Sequence, residues 1–271
     1  MAVESFSGRS SFLPFKCIYI CNIFQLMRKN LLLITLITAV LFTSCKKSTE
    51  VLDVPAVNDY SPFIIGKYIT YDLDSTIFIN FGTKDTVVKY QVKHQVDALI
   101  TDNLGRPAYR IIRYIRKTAA NPWNPDNTFM AVPTEFAMEF VENNMRFLKL
   151  KGPVRDGFTW KGNSYIDTYS LNSNVKYLDD WDYTYDSVGT AKTIGSFTLE
   201  NTLHVAQRNE IIGNPSDPAS YSEINFSSEN YARGLGLFYR NFLHIEYQPA
   251  RPGVGAYRVG YGVKMTMIDH N

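Results

Sequence analysis

From residue 89 to 101 apolar and polar side chains take turns. Tyr90, Val92, His94, Val96, Ala98 and Ile100 fill the even positions. Lys89, Gln91, Lys93, Gln95 and Asp97 fill the odd ones, until Leu99 breaks the pattern. A period of two sends successive side chains to opposite faces of an extended chain, so this segment reads as a strand with one buried face. The same period recurs three times. Residues 196–208 carry Phe197, Leu199, Leu203 and Val205 at odd positions. Residues 235–248 carry Leu235, Leu237, Tyr239, Leu243, Ile245 and Tyr247, interrupted by Asn241. Residues 256–268 carry Tyr257, Val259, Tyr261, Val263, Met265 and Met267. In each, the odd series is the expected core face. No stretch beyond residue 60 has a convincing helical period. The nearest is 134–143, whose Phe136, Met138 and Phe140 suit a strand as well as a short helix.

Turn chemistry separates these runs. Asp102-Asn103-Leu104-Gly105 predicts a hairpin with the glycine left-handed. Pro122 and Pro125 stand among asparagines, and Asn214-Pro215-Ser216-Asp217-Pro218 makes a second irregular connection. The body, residues 60–271, therefore reads as all-β, a single antiparallel domain of about ten strands. Its expected form is a sandwich or a curved sheet closing toward a half-barrel or barrel. Lys, Gln, Glu and Asp at outward positions argue against a transmembrane barrel, whose outer band is apolar.

The chain before the body has a different character. Arg28 and Lys29 precede an apolar run from Leu31 to Phe42, followed by Thr43, Ser44 and Cys45. A spanning helix needs roughly 20 apolar residues. This run is shorter and has the length of a secretory signal core. Charge, core, small residues and cysteine in this order resemble the lipobox of bacterial lipoproteins, with Phe42 where the motif usually has leucine. The resemblance implies that Cys45 becomes the acylated, palmitate-bearing first residue of the mature chain. Residues 1–26 hold a second apolar patch, and the simpler reading is that translation starts at Met27. The organisation is then 1–26 an over-called start, 27–44 the signal peptide, 45–59 a lipidated tether, and 60–271 the β domain.

Cysteine and charge bound the chemistry. Cys17, Cys21 and Cys45 are the chain's three cysteines, so the body holds no disulfide, thiol nucleophile or cysteine metal site. Four of the 28 basic residues and one of the 26 acidic residues precede Cys45, which leaves 24 and 25 in the mature chain. A near-neutral body gives no electrostatic reason to expect nucleic acid as a partner.

Few residues stand out as candidate sites. Trp181, Tyr183 and Tyr185 form an aromatic stripe that would suit a sugar ring or apolar ligand, or simply one strand's buried face. Asp180, Asp182 and Asp186 alternate as calcium ligands do, without an EF-hand's glycine or terminal glutamate. Arg106, Arg110, Arg113 and Arg116 recur on one strand; Arg110 and Arg116 are the candidates for an anionic group. His94 falls on an apolar face and reads as a core histidine. His204 and His244 fall on polar faces and read as solvated. Gly234-Leu235-Gly236 lacks the third glycine of a dinucleotide fingerprint, and no cofactor is expected. The phrase Tyr231-Ala232-Arg233-Gly234-Leu235-Gly236 is similar to one near the end of uncharacterised β-rich lipoproteins of Gram-negative bacteria.

These features imply a lipid-anchored protein of a Gram-negative cell envelope. Lys46 after the cysteine favours the outer membrane. The body is read as a non-enzymatic binding or structural module for a glycan, a lipid or another envelope protein. Two alternatives are a lipocalin-like lipid carrier, since Gly66-Lys67-Tyr68 resembles the G-x-W opening of lipocalins with Tyr for Trp, and an envelope hydrolase.

Overall fold

The computed structural model describes residues 54–271 together with residues 27 and 28. Cys45, all of the expected signal peptide after residue 28 and most of the expected tether lie outside the described residues. The body is all-β, as expected, with twelve strands rather than ten: β1 (Tyr68–Ile79), β2 (Lys84–Thr101), β3 (Pro107–Arg116), β4 (Asn124–Pro133), β5 (Ala137–Glu142), β6 (Met145–Lys151), β7 (Thr159–Lys161), β8 (Asp182–Ile194), β9 (Phe197–Gly213), β10 (Ser222–Ala232), β11 (Gly236–Gln248) and β12 (Tyr257–His270). Residues 134–143 make β5 and no helix. The extra strands are short ones, such as β7, that period-two patterning does not mark.

All twelve form one antiparallel sheet, ordered β6-β5-β4-β3-β2-β1-β12-β11-β10-β9-β8-β7. Each strand except at the β6–β7 break pairs with its neighbours in sequence, and β1 pairs with β12 from Ile69↔His270 to Thr76↔Gly262. The chain therefore starts and ends at one join, and the free edges, β6 and β7, also follow one another in sequence. They approach each other. Leu148 N–H donates to Gly162 O at 2.8 Å. Trp160 Nε1–H donates to Leu148 O at 2.7 Å, and Lys151 N–H to the Tyr185 hydroxyl at 2.9 Å. The result is a nearly closed barrel whose seam is stitched by a few hydrogen bonds. An open edge would present a row of unpaired backbone groups.

Bulges reset which residues face the lumen. One falls between Val96 and Ala98, which explains why the alternation of β2 fails at Leu99. Another, opposite Asn230/Tyr231, makes Phe238 an extra residue on β11. Beyond it Arg240, Phe242 and His244 face the lumen, opposite Met265, Val263 and Tyr261 of β12. This corrects the expected core face of β11: Leu243 and Ile245 are only half-buried, whereas Phe242 and His244 are buried.

Both ends of the lumen are covered. At one end residues 54–63 fold over the mouth through a 3₁₀ turn (Val57–Tyr60) that buries Val57 and Tyr60. Asp59 pairs with Arg233 at 2.7 Å. Residues 54–59, which sequence placed in the tether, thus pack with the folded body. At the other end Trp181 is buried, donating its Nε1–H to Tyr177 O at 2.7 Å.

Gly162 tests the seam. A Cβ there would stand 2.4 Å from the Tyr183 ring, which is itself buried. Gly162→Ala is expected to destabilise the body by about 1–3 kcal/mol, the usual cost of overpacking, read as a lower midpoint in urea unfolding. An unchanged midpoint would mean that the seam has slack.

Candidate functional site

Four charged side chains meet inside the barrel. Glu142 ends β5, Lys149 occupies a bulge of β6, Glu229 lies on β10 and Arg240 on β11. Arg240 grips Glu142 with both terminal nitrogens at 2.9 Å. Lys149 Nζ donates to Glu229 Oε1 at 2.7 Å and lies 3.7 Å from Glu142. The second oxygen of Glu229 accepts from Gln207 at 3.0 Å and from the Tyr231 hydroxyl at 2.7 Å. Two cations thus balance two carboxylates, and neutral donors fill the remaining lone pairs, as a buried ion cluster requires. Burial pushes the Glu142 carboxyl up, but Arg240 and then Lys149 outweigh it and hold the group at about 2. Glu229 is likewise held below the usual carboxylate range against burial, by Lys149 and then Arg240.

The cluster divides the lumen. On the side of the N-terminal cover lies a cavity of about 110 Å³, bordered by Tyr60, Phe63, Ile69, Val96, Phe140 and Leu235. On the other side lies one of about 90 Å³, bordered by Phe129, Trp181, Tyr183, Gln207 and Phe242. His94, Glu142, Lys149, Arg240 and Met265 border both. His94 stands edge-on to Tyr71 and to Phe129, with ring centroids 5.2 and 5.3 Å away. Burial, and then the charge of Arg113, push its pKa down to about 3, so the ring is neutral near pH 7.

The residues singled out from sequence fall elsewhere. Trp181, Tyr183 and Tyr185 are 1%, 1% and 0% exposed, so the stripe is the inner face of β8 and its approach, not a surface platform. Arg110 Nε donates to Asp97 at 2.6 Å. Arg116 Nε donates to Gln91 at 2.9 Å, and its guanidinium lies 4.1 Å from the centre of the Trp123 ring. Arg106 is drawn into the Glu139 carboxylate by two bonds of 2.9 and 2.8 Å. Lys161 bridges Asp180 and Asp182 at 2.6 and 2.9 Å, while Asp186 accepts the His204 ring at 2.8 Å. Asp180 and Asp182 are therefore engaged with one lysine and Asp186 with a histidine ring, and the three do not share a partner. Among the described residues no group of three His, Cys, Asp or Glu side chains is placed to hold a metal. His94 is the core histidine expected. His244 is not solvated as expected: it is 5% exposed, stacked 3.7 Å from Tyr177 and bonded to Asn225 at 2.8 Å. Burial lowers its pKa against the pull of Glu223 and Glu246.

Sequence reasoning passed over the lumen charges. One signal was present: Glu142 continues the parity of Met138 and Phe140, an acid on an apolar face. Arg240 left no comparable trace, because the Phe238 bulge moved it inward. Comparison with known protein families, with characterised proteins and with solved structures finds no match for this chain.

Two outcomes test the cluster. Lys149→Met leaves Glu229 and Glu142 sharing one guanidinium and is expected to cost about 3–5 kcal/mol. Lys149→Met with Glu229→Gln restores neutrality and should recover most of that loss in the same denaturation series. Acid should also weaken the fold in two stages. His94 and His244 stay neutral when folded but take a proton when unfolded, so stability falls as pH drops below about 6.5. Glu142 adds its loss between the ordinary carboxylate range and about 2. His94→Phe should make the decline between pH 6.5 and 4.5 shallower; an unchanged slope there would refute the assignment.

Proposed function

We propose that this protein is a cell-envelope lipoprotein, anchored through Cys45, whose β body serves a non-enzymatic binding role inside its lumen. The observation that carries the anchor is the ordered leader: Arg28-Lys29, the apolar run to Phe42, Thr43-Ser44, then Cys45. Two or more acyl chains hold a protein firmly where a single one is marginal. Lys46 favours the outer membrane, and the membrane lipid is then the first partner. A binding role in the lumen is supported by the cavity of about 110 Å³ beneath the N-terminal cover. Pockets with apolar walls and a few convergent polar groups are the usual form of small-ligand sites.

The alternatives receive less support. A lipocalin-like carrier needs one continuous apolar cavity of several hundred Å³. Here two smaller spaces, of about 110 and 90 Å³, flank an ion cluster. A hydrolase needs a base beside a partner carboxylate in a concave site. His94 makes no such bond. His204 and Asp186 pair at 2.8 Å with the carboxylate about half exposed. His244 lies 3.4 Å from Glu246, but its ring is covered by Tyr177 at 3.7 Å and borders neither lumen cavity.

The anchor is tested by growing a Gram-negative host with a labelled fatty acid. Label should enter the native chain and partition with membranes, and Cys45→Ala should abolish both. Equal labelling of the variant, or native protein recovered unlabelled from the cytosol, would overturn the reading.

A further inference from the structure

Among the described residues three buried side-chain polar atoms have no hydrogen-bond partner: Tyr60 Oη, His94 Nε2 and Arg240 Nε, the last with only a 3.6 Å ion-pair contact to Glu229 Oε1. All three residues border the same cavity, the one of about 110 Å³ under the N-terminal cover. Tyr60 is 1% exposed, so its hydroxyl has no bulk water to fall back on. A buried polar group left without a partner loses its hydration for nothing in return, and buried polar groups in folded proteins are nearly always paired. Three such groups on one void point to something that fills it.

The surroundings restrict what that is. The walls are apolar: Ile69, Val96, Ile111, Met138, Phe140 and Met265. An apolar cavity of roughly 150 Å³ accepts benzene, so this space suits one small ring or a chain of about four to six carbons. The charges of Lys149 and Arg240 are already matched by Glu142 and Glu229, and Lys67, the third cation on the border, is half-buried and donates its Nζ to Gly234 O at 2.5 Å. An ionic ligand would meet no cation free of a partner, and burying its charge in a low-dielectric site is costly. Arg240 Nε can only donate, so the ligand must accept there. A neutral imidazole leaves one ring nitrogen free to accept. A hydroxyl group is the smallest function that accepts from one partner and donates to another.

We propose, deepening the binding role inferred above, that this cavity is a site for a small uncharged hydroxyl compound, an alcohol or phenol. Its apolar body lies among the aliphatic walls and Phe140, and its hydroxyl bonds with His94 and Arg240 beside Tyr60. Entry is past residues 60–63, which border the cavity and are pinned by the Asp59–Arg233 ion pair at 2.7 Å. The neutral state of His94 near pH 7 is consistent with its accepting the ligand's proton in a hydrogen bond.

The test uses the chain from residue 45 with Cys45→Ala, which carries the whole β body, titrated at pH 7.5 with phenol, benzene and benzoate by calorimetry and by crystal soaking. Phenol is expected to bind in the cavity, benzene at least 10-fold more weakly, and benzoate not at all. Tyr60→Phe and His94→Phe, which keep the ring volumes close, should each weaken phenol about 3–10-fold, the range of one hydrogen bond, and leave benzene unchanged. Benzene binding as tightly as phenol, benzoate binding, an unmoved phenol constant in both variants, or crystals holding only water in the cavity would overturn the proposal. Fatty-acid labelling at Cys45 is independent of every one of these outcomes, so a failed site and a failed anchor are told apart.

Discussion

The pairing of β1 with β12 is the interaction on which the rest depends. Every other strand contact joins neighbours in sequence and would form in an open meander. The β1–β12 ladder alone brings the two ends of the body together, and it bends the sheet until β6 and β7 meet. Once they do, three hydrogen bonds across the seam satisfy groups that an open edge would leave exposed. Closure also creates an inside, and with it the buried faces of all twelve strands. The ion cluster exists only in the closed form, because it joins Glu142 and Lys149 from one half of the sheet to Glu229 and Arg240 from the other.

Strand number then decides what the inside must hold. The interior of an eight-stranded barrel is about wide enough for side chains to fill, and width grows with each added strand. Twelve strands demand larger fillers. The protein supplies Trp160, Trp181, Tyr183, Tyr185 and Phe242 around one half of the lumen, and long charged side chains reach across its middle. Arg240 and Lys149 are well suited to this span, since their stems are apolar and only their tips need partners. A buried salt-bridge cluster is seldom more stabilising than an apolar filling of the same volume. The Lys149–Glu229 contact at 2.7 Å does join the two halves of the sheet.

The alternation of polar and apolar residues was enough to give the all-β class, the antiparallel sheet and the buried position of His94. It failed where bulges intervene. A bulge adds one residue and exchanges inside for outside, so the parity of Leu243 and Ile245 marks the core before the bulge, while Arg240, Phe242 and His244 line the lumen beyond it. Period-two patterning has no term for such an insertion. The aromatic stripe Trp181, Tyr183, Tyr185 was found correctly as a stripe, but sequence does not distinguish an inner face from a platform when both are flanked by aspartates. The site itself was barely legible. Its residues come from β2, β5, β6, β10 and β11, and only the closed sheet sets them side by side.

The N-terminal cover connects this interior to the proposed anchor. Tyr60 borders the cavity, and Asp59, its neighbour in the chain, holds Arg233 at the turn between β10 and β11. Gly234 N–H also donates to Asp59 O at 2.7 Å. The same ten residues, 54–63, therefore close the mouth of the lumen and, in sequence, follow Cys45. Under the proposed anchoring, the stretch that ties the body to the membrane is also the wall that a ligand must pass. Lifting this cover would break the Asp59 contacts and expose Val57 and Tyr60, both now buried, at a hydrophobic cost. Under the proposed anchoring, a ligand beside Tyr60 and a pull on the attachment segment would therefore act on the same contacts.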